Sequence, residues 1–158
     1  MAQQARAVTS IEAEANVVWV PEGTDLTEWY FEQGWTDGLP VVPPTRARVD
    51  ALVEALGGDP HFVECKVPPR HGSLTREVLA INMVMAGCKP DYAPVVRAAM
   101  LALANPAFNL NGVQATTHMA APLLIVNGPA MCVVAWTPFK LNAFAVSASI
   151  AARTTGAY

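Results

Sequence analysis

The stretch GWTDGLPVVPPT, Gly34 to Thr45, places one acid, Asp37, among two glycines, three prolines and the apolar Trp35, Leu39, Val41 and Val42. Pro40, Pro43 and Pro44 restrict the backbone, so a carboxylate held nearby loses little further freedom when it is aimed. Gly34 and Gly38 permit the tight turns that aiming requires. Asp37 is therefore a candidate for an acid directed into a site. The competing reading is a connector between helices in which Asp37 closes an Asx turn on its own backbone.

The chain has three histidines. His61 follows Asp59-Pro60 in a turn and reads as a surface residue. His71, in PPRHGS, is expected just before a helix with Arg70 beside it, a place suited to an anion. His118, in QATTHMAAP, is expected at the end of a β segment next to Thr117, where α/β proteins often carry reactive groups. A histidine satisfied by hydrogen bonds within the core is the alternative for each. Cys88 and Lys89 fall at a junction between two helices, in MAGCKPDYAP. A following helix N-terminus and a nearby lysine would favour a thiolate nucleophile at Cys88, whereas a small buried residue is the plainer role. Lys89 either pairs with Asp91 or clamps an anion. Cys65, Cys88, His71 and His118 can be assembled into a zinc site on paper, but none shows the spacing of HxH, HExxH or CxxC. GxGxxG, GxxxxGK[ST] and GxSxG are also absent, which removes the usual support for nucleotide-dependent or serine-hydrolase chemistry.

The elements that must position these residues alternate in type. DLTEWYFEQGW reads as a short helix, capped by Thr24 or Asp25 and ended by Gly34. TRARVDALVEALGG reads as an amphipathic helix capped by Thr45, with a buried stripe of Val49, Leu52, Val53 and Leu56, and Gly57-Gly58 as its stop. FVECKV is a predicted strand halted by Pro68-Pro69. SLTREVLAINMVMAG and KPDYAPVVRAAMLALA are two further helices, the second with Pro94 tolerated near its N-terminus. GVQATTH and APLLIVNG read as two β segments. The class is α/β, a single domain of short β segments with three to four helices: residues 1–24 form a peripheral arm with a short edge-strand candidate at Val17–Val20, 25–129 the domain, and 130–158 an apolar tail expected to pack on a partner.

At 158 residues the chain can bury a core as one domain. Its composition is 53% apolar and 15% charged, with mean hydropathy +0.28, which is rich for a small monomer and points to surface hidden in an oligomer. Apolar stretches are broken by Pro122, Gly128 and Pro129, or by Pro94 and Arg97, so no membrane span is expected. No uninterrupted apolar leader precedes Val17, and a cytoplasmic protein is expected. Net charge is −3 without a basic run, so nucleic acid is not an expected partner. Three cysteines without a CxxC pair suggest thiols rather than a disulfide framework.

Taken together, GWTDGLPVVPPT, INMVMAGCKPDYAPVV and NPAFNLNGVQATTHMAAPLLIVNGP resemble the N-terminal part of a bacterial family of largely uncharacterised proteins that occur alongside UGSC-type thiol or selenol proteins. The resemblance runs from about Trp29 to Pro129, in the same order and with similar spacing. Family members continue past the VNGP segment into a glycine-rich stretch and another helix, whereas here the likeness fades after Pro129. It implies a family fold divided between two polypeptides, with a second subunit supplying the C-terminal half of a hetero-oligomer. For a two-chain member it further implies hydrolysis of the methyl aryl ether of a small nitroaromatic at the subunit interface, with no required cofactor. His118 or Asp37 would then be the base, Lys89, Arg70 and Thr117 donors to the substrate, and Trp35 a wall of an aromatic slot. A divalent metal such as zinc, held by His71 and His118, is an alternative way to activate water. A thiol-dependent reaction at Cys88 and a purely structural subunit are the other two outcomes.

Overall fold

The computed structural model describes residues 17–127; the expected tail at 130–158 and most of the expected arm lie outside them. The described residues form a small α/β domain with five α-helices and one two-stranded antiparallel sheet. Helix α1, Leu26–Glu32, starts at Asp25, whose carboxylate accepts from the backbone N–H groups of Thr27 and Glu28. Those two donors would otherwise have no partner in the first turn. Helix α2, Arg46–Leu56, buries the expected stripe of Val49, Leu52, Val53 and Leu56, with Leu52 only 1% exposed. Its end is set by Gly57 at φ 120°, a left-handed conformation that a side chain would strain.

Strand β1, Val63–Val67, pairs with β2, Gly72–Thr75. The second strand is absent from the sequence-based expectation, which ran Ser73–Thr75 into the next helix. In the structure Thr75 ends β2 and caps helix α3, Arg76–Met85, by accepting from the Val78 N–H. The first N–H groups of α3 find partners too: Arg76 donates to the Phe62 carbonyl and Glu77 to that of Pro60. This correction moves His71. It lies in the turn between the strands, exposed, with φ 54°, and not at a helix N-terminus.

A single 3-10 turn, Pro90–Tyr92, leads into helix α4, Ala93–Leu103, with Pro94 in the first turn where its missing N–H costs nothing. Helices α2, α3 and α4 pack around Leu52, Leu56, Leu79, Met83, Ala93 and Val96, and the sheet contributes Leu74. Truncating Leu52 to alanine would cost about 3 kcal/mol from lost burial and the cavity left behind.

Two β expectations are corrected further along. Asn109, at φ 54°, caps a short helix α5, Leu110–Ala115, by accepting from the Gly112 N–H, so most of GVQATTH is helical. Residues 121–127 take no regular structure. A strand needs a neighbour for its N–H and C=O groups, and none of the described residues pairs with this segment. The edge-strand candidate at Val17–Val20 is likewise without regular structure, and Trp19 is largely exposed. No helix among the described residues is long and apolar enough to cross a membrane.

One polar contact ties the sheet to the helices. Val63 faces Thr75 and Cys65 faces Leu74, which leaves Glu64 as the extra residue of a β-bulge. Its side chain is 2% exposed, and its two oxygens accept from Arg76 Nε at 2.7 Å and Arg97 Nε at 2.8 Å. Burial alone would raise the Glu64 carboxyl, but hydrogen bonds and charge from Arg76 and Arg97 outweigh it and hold the group below its ordinary value of 4.5. A depressed carboxyl stabilises the fold fully above the unfolded value and loses that contribution as pH falls through the folded one. Glu64→Gln is therefore expected to lower stability by about 3 kcal/mol near neutral pH, because it leaves a buried arginine without its counter-charge. Urea midpoints measured near neutral pH and at about pH 3 check this: the gap between wild type and variant narrows in acid. A constant gap would contradict it.

Candidate functional site

Residues 34–45 form a loop held at three points. Trp35 donates its N–H to the Tyr30 carbonyl at 2.9 Å, the buried Thr36 accepts from the Gly38 N–H at 2.9 Å, and Val42 donates to the Met85 carbonyl at 3.1 Å. The last of these joins the loop to the C-terminal end of α3, where Gly87 turns the chain at φ 74°. A side chain there would approach Val42 at 3.7 Å. Cys88 follows, its N–H donating to the Met83 carbonyl at 2.8 Å. The structure thus brings GWTDGLPVVPPT and MAGCKP together through Val42.

The aromatic residues before and within the loop form one cluster. Trp35 stacks on Tyr30, with ring centres 5.8 Å apart and planes at 25°, and meets Trp29 edge-on at 5.2 Å. Burial pushes the Tyr30 hydroxyl above its ordinary value. Half-buried Trp35 is thus a rigid wall already anchored to α1. Asp37 is exposed and its Oδ1 accepts from the Leu39 N–H at 3.4 Å, the geometry of an Asx turn.

Cys88 is half-buried and packs against the core of α2, α3 and α4, with the 3-10 turn between it and α4. Lys89 and Asp91 are exposed. Cys65, on β1, is also half-buried; burial and then the neighbouring Glu64 charge push its thiol up, which keeps it protonated. Arg70 and His71 occupy the exposed hairpin turn. Thr117 and His118 are exposed on the segment after α5, with the His118 N–H donating to Thr116 Oγ1 at 3.1 Å. His61 is exposed in the turn before β1, as expected.

The candidate residues therefore lie on separate surface segments: the 34–45 loop, the hairpin turn, the α3–α4 junction and the segment after α5. No hydrogen bond or ion pair joins Asp37, His71, Lys89, Thr117 or His118 to another of them. Among the described residues no group of three or more His, Cys, Asp or Glu side chains is placed to hold a metal ion. His71 and His118 stand on different exposed segments, the hairpin turn and the segment after α5.

The buried polar groups were not singled out as functional in the sequence, although they left traces there. Glu64 interrupts the apolar strand FVECKV, and Arg97 is the one charge in APVVRAAMLAL. Charges in such surroundings are affordable only when paired. Asn82 is 6% exposed; its amide donates to the Val78 carbonyl at 2.8 Å, while its Oδ1 has no partner among the described residues.

Around the segment after α5 the surface is apolar and open. Met119 is fully exposed, Leu123 is 84% and Ile125 71% exposed, and residues 121–127 make no backbone hydrogen bond among the described residues. Comparison with protein-family models, curated proteins and solved structures gave no match.

Removing Trp35 tests whether the wall is pre-formed. Trp35→Leu is expected to abolish much of the near-ultraviolet circular dichroism and to lower stability by about 1–2 kcal/mol, through loss of both ring contacts. An unchanged spectrum would mean that the cluster does not form in solution.

Proposed function

We propose that this chain is one subunit of a hetero-oligomeric hydrolase whose site is completed by a second polypeptide. The observation that carries the proposal is the segment after α5, which presents Met119, Leu123 and Ile125 to solvent and whose residues 121–127 make no backbone hydrogen bond among the described residues. Apolar surface of this kind marks an interaction site, and Thr117 and His118 sit at its start. A partner docking there would exclude water from both side chains.

For the reaction, the support is the sequence resemblance. The two-chain arrangement is similar to that of the hydrolytic 2,4-dinitroanisole O-demethylase, whose smaller subunit is of comparable size. Two nitro groups make the methoxy-bearing ring carbon electrophilic. Water adds to that carbon as a base takes its proton, and the electron pair spreads onto the nitro oxygens. The carbon–methoxy bond then breaks, and the departing oxygen takes a proton to give methanol and 2,4-dinitrophenol. No electron is gained or lost overall, so the reaction as written needs no redox cofactor. In this reading His118 or Asp37 is the base, Lys89, Arg70 and Thr117 donate to the nitro groups as charge develops, and Trp35 walls the ring slot. Desolvation at the interface strengthens each of these contacts.

A second reading is favoured by Asp37 closing a local turn: the partner carries the chemistry and this chain supports it. One experiment separates the two. The chain is co-expressed with the product of the neighbouring gene, the complex is purified, and dinitrophenolate release from 2,4-dinitroanisole is followed by absorbance. The proposal expects turnover by the complex and by neither chain alone, with His118→Ala in an intact complex lowering kcat by about a hundredfold or more. Turnover unaffected by both His118→Ala and Asp37→Asn would assign the chemistry to the partner. A stable complex without turnover would reject the substrate.

A further inference from the structure

The Glu64 contact sets two guanidinium groups against one carboxylate. Arg76 is enclosed. Its side chain is 11% exposed, its guanidinium carbon lies 4.2 Å from the centre of the Phe62 ring, and a Cβ on Gly57 would come within 2.7 Å of Nη1. Gly57 caps the C-terminal end of α2, where the helix dipole supplies about half a negative charge. The Arg76 charge is thus answered from two sides, by Glu64 and by the end of α2.

Arg97 has only a share of Glu64. Its side chain is 41% exposed, and Nε is committed to Glu64 Oε2 at 2.8 Å. Its terminal amino groups make no hydrogen bond among the described residues. The remaining residues of α4 are all uncharged, so the helix itself offers no second acid. A guanidinium anchored at Nε by a buried carboxylate has lost most of its rotational freedom before any ligand arrives, which lowers the entropic cost of binding.

We infer that the outward edge of Arg97, fixed by Glu64, is a binding site for a small carboxylate monoanion. The surplus within the triad is at most one positive charge, which matches a monoanion. The Nη1 and Nη2 groups form a planar fork that suits two coplanar oxygens. A phosphate dianion would gain from a second fork, and the enclosed Arg76 does not offer one. The site is independent of the ether hydrolysis proposed above, since none of the residues assigned to that reaction takes part in it.

The test uses the full chain, labelled with nitrogen-15, and reads the arginine side-chain resonances while sodium acetate is added against sodium chloride at equal ionic strength. Sodium phosphate is the comparison oxyanion. Acetate is expected to shift the Arg97 signals along a saturable one-site curve, with chloride giving only a small linear drift. Arg97→Gln is expected to abolish saturation, while Arg97→Lys, which keeps the charge and loses the fork, weakens binding about tenfold. The retained Arg76 signal reports that each variant is folded. Identical shifts with acetate and chloride, or undiminished saturation in folded Arg97→Gln, would overturn the site. Tighter binding of phosphate than of acetate would overturn its assignment to carboxylates. If Arg97→Gln does not fold, the wild-type comparison of acetate with chloride decides.

Discussion

The buried carboxylate of Glu64 is the point on which the arrangement turns. A two-stranded hairpin is marginal by itself in water, and this one has no third strand among the described residues. It is held instead by Leu74 in the core and by a bulge that turns Glu64 inward, to where α3 offers Arg76 and α4 offers Arg97. An unpaired carboxylate so deeply buried would be strongly unfavourable. The same contact that makes it tolerable therefore fixes how the sheet, α3 and α4 sit on one another. Gly57 is part of this device, because Arg76 packs directly against it and any side chain at that position would meet the guanidinium.

Much of the fold was legible in the sequence where local signals agreed. The Val49, Leu52, Val53 and Leu56 stripe, the Gly57-Gly58 stop and the Asp25 cap each rest on chemistry within a single turn of helix. What misled was context. Ser73 and Thr75 both read as helix starters, and Thr75 does cap α3, yet Ser73 lies in a strand because Lys66 across the hairpin pairs with it. GVQATTH looked like a strand, yet the Asn109 side chain, one residue before the helix, caps it into a turn of helix. LLIV carries residue types suited to a strand, but none of the described residues supplies the neighbour that would make it one.

The candidate site was less legible than the fold. Asp37 was weighed as an aimed acid against an Asx turn, and the structure has the turn, with the carboxylate exposed. The rigid apolar loop has a clear structural role: Trp35 locks onto Tyr30 and Trp29, and Val42 locks onto Met85, so the loop clamps α1 to the end of α3. The ion triad escaped attention as a unit because its members are 12 and 33 residues apart along the chain, and nothing in local spacing links a strand glutamate to two helix arginines.

The central claim is that the apolar segment after α5 is an interface awaiting another polypeptide. Amide hydrogen exchange of residues 123–126 in the isolated monomeric chain tests it most directly, since these N–H groups have no partner among the described residues. The account predicts exchange at close to free-peptide rates, in contrast to slow exchange in α2 and α3. Slow exchange of residues 123–126 in the monomer would mean that the chain covers this segment by itself, and would contradict the interface.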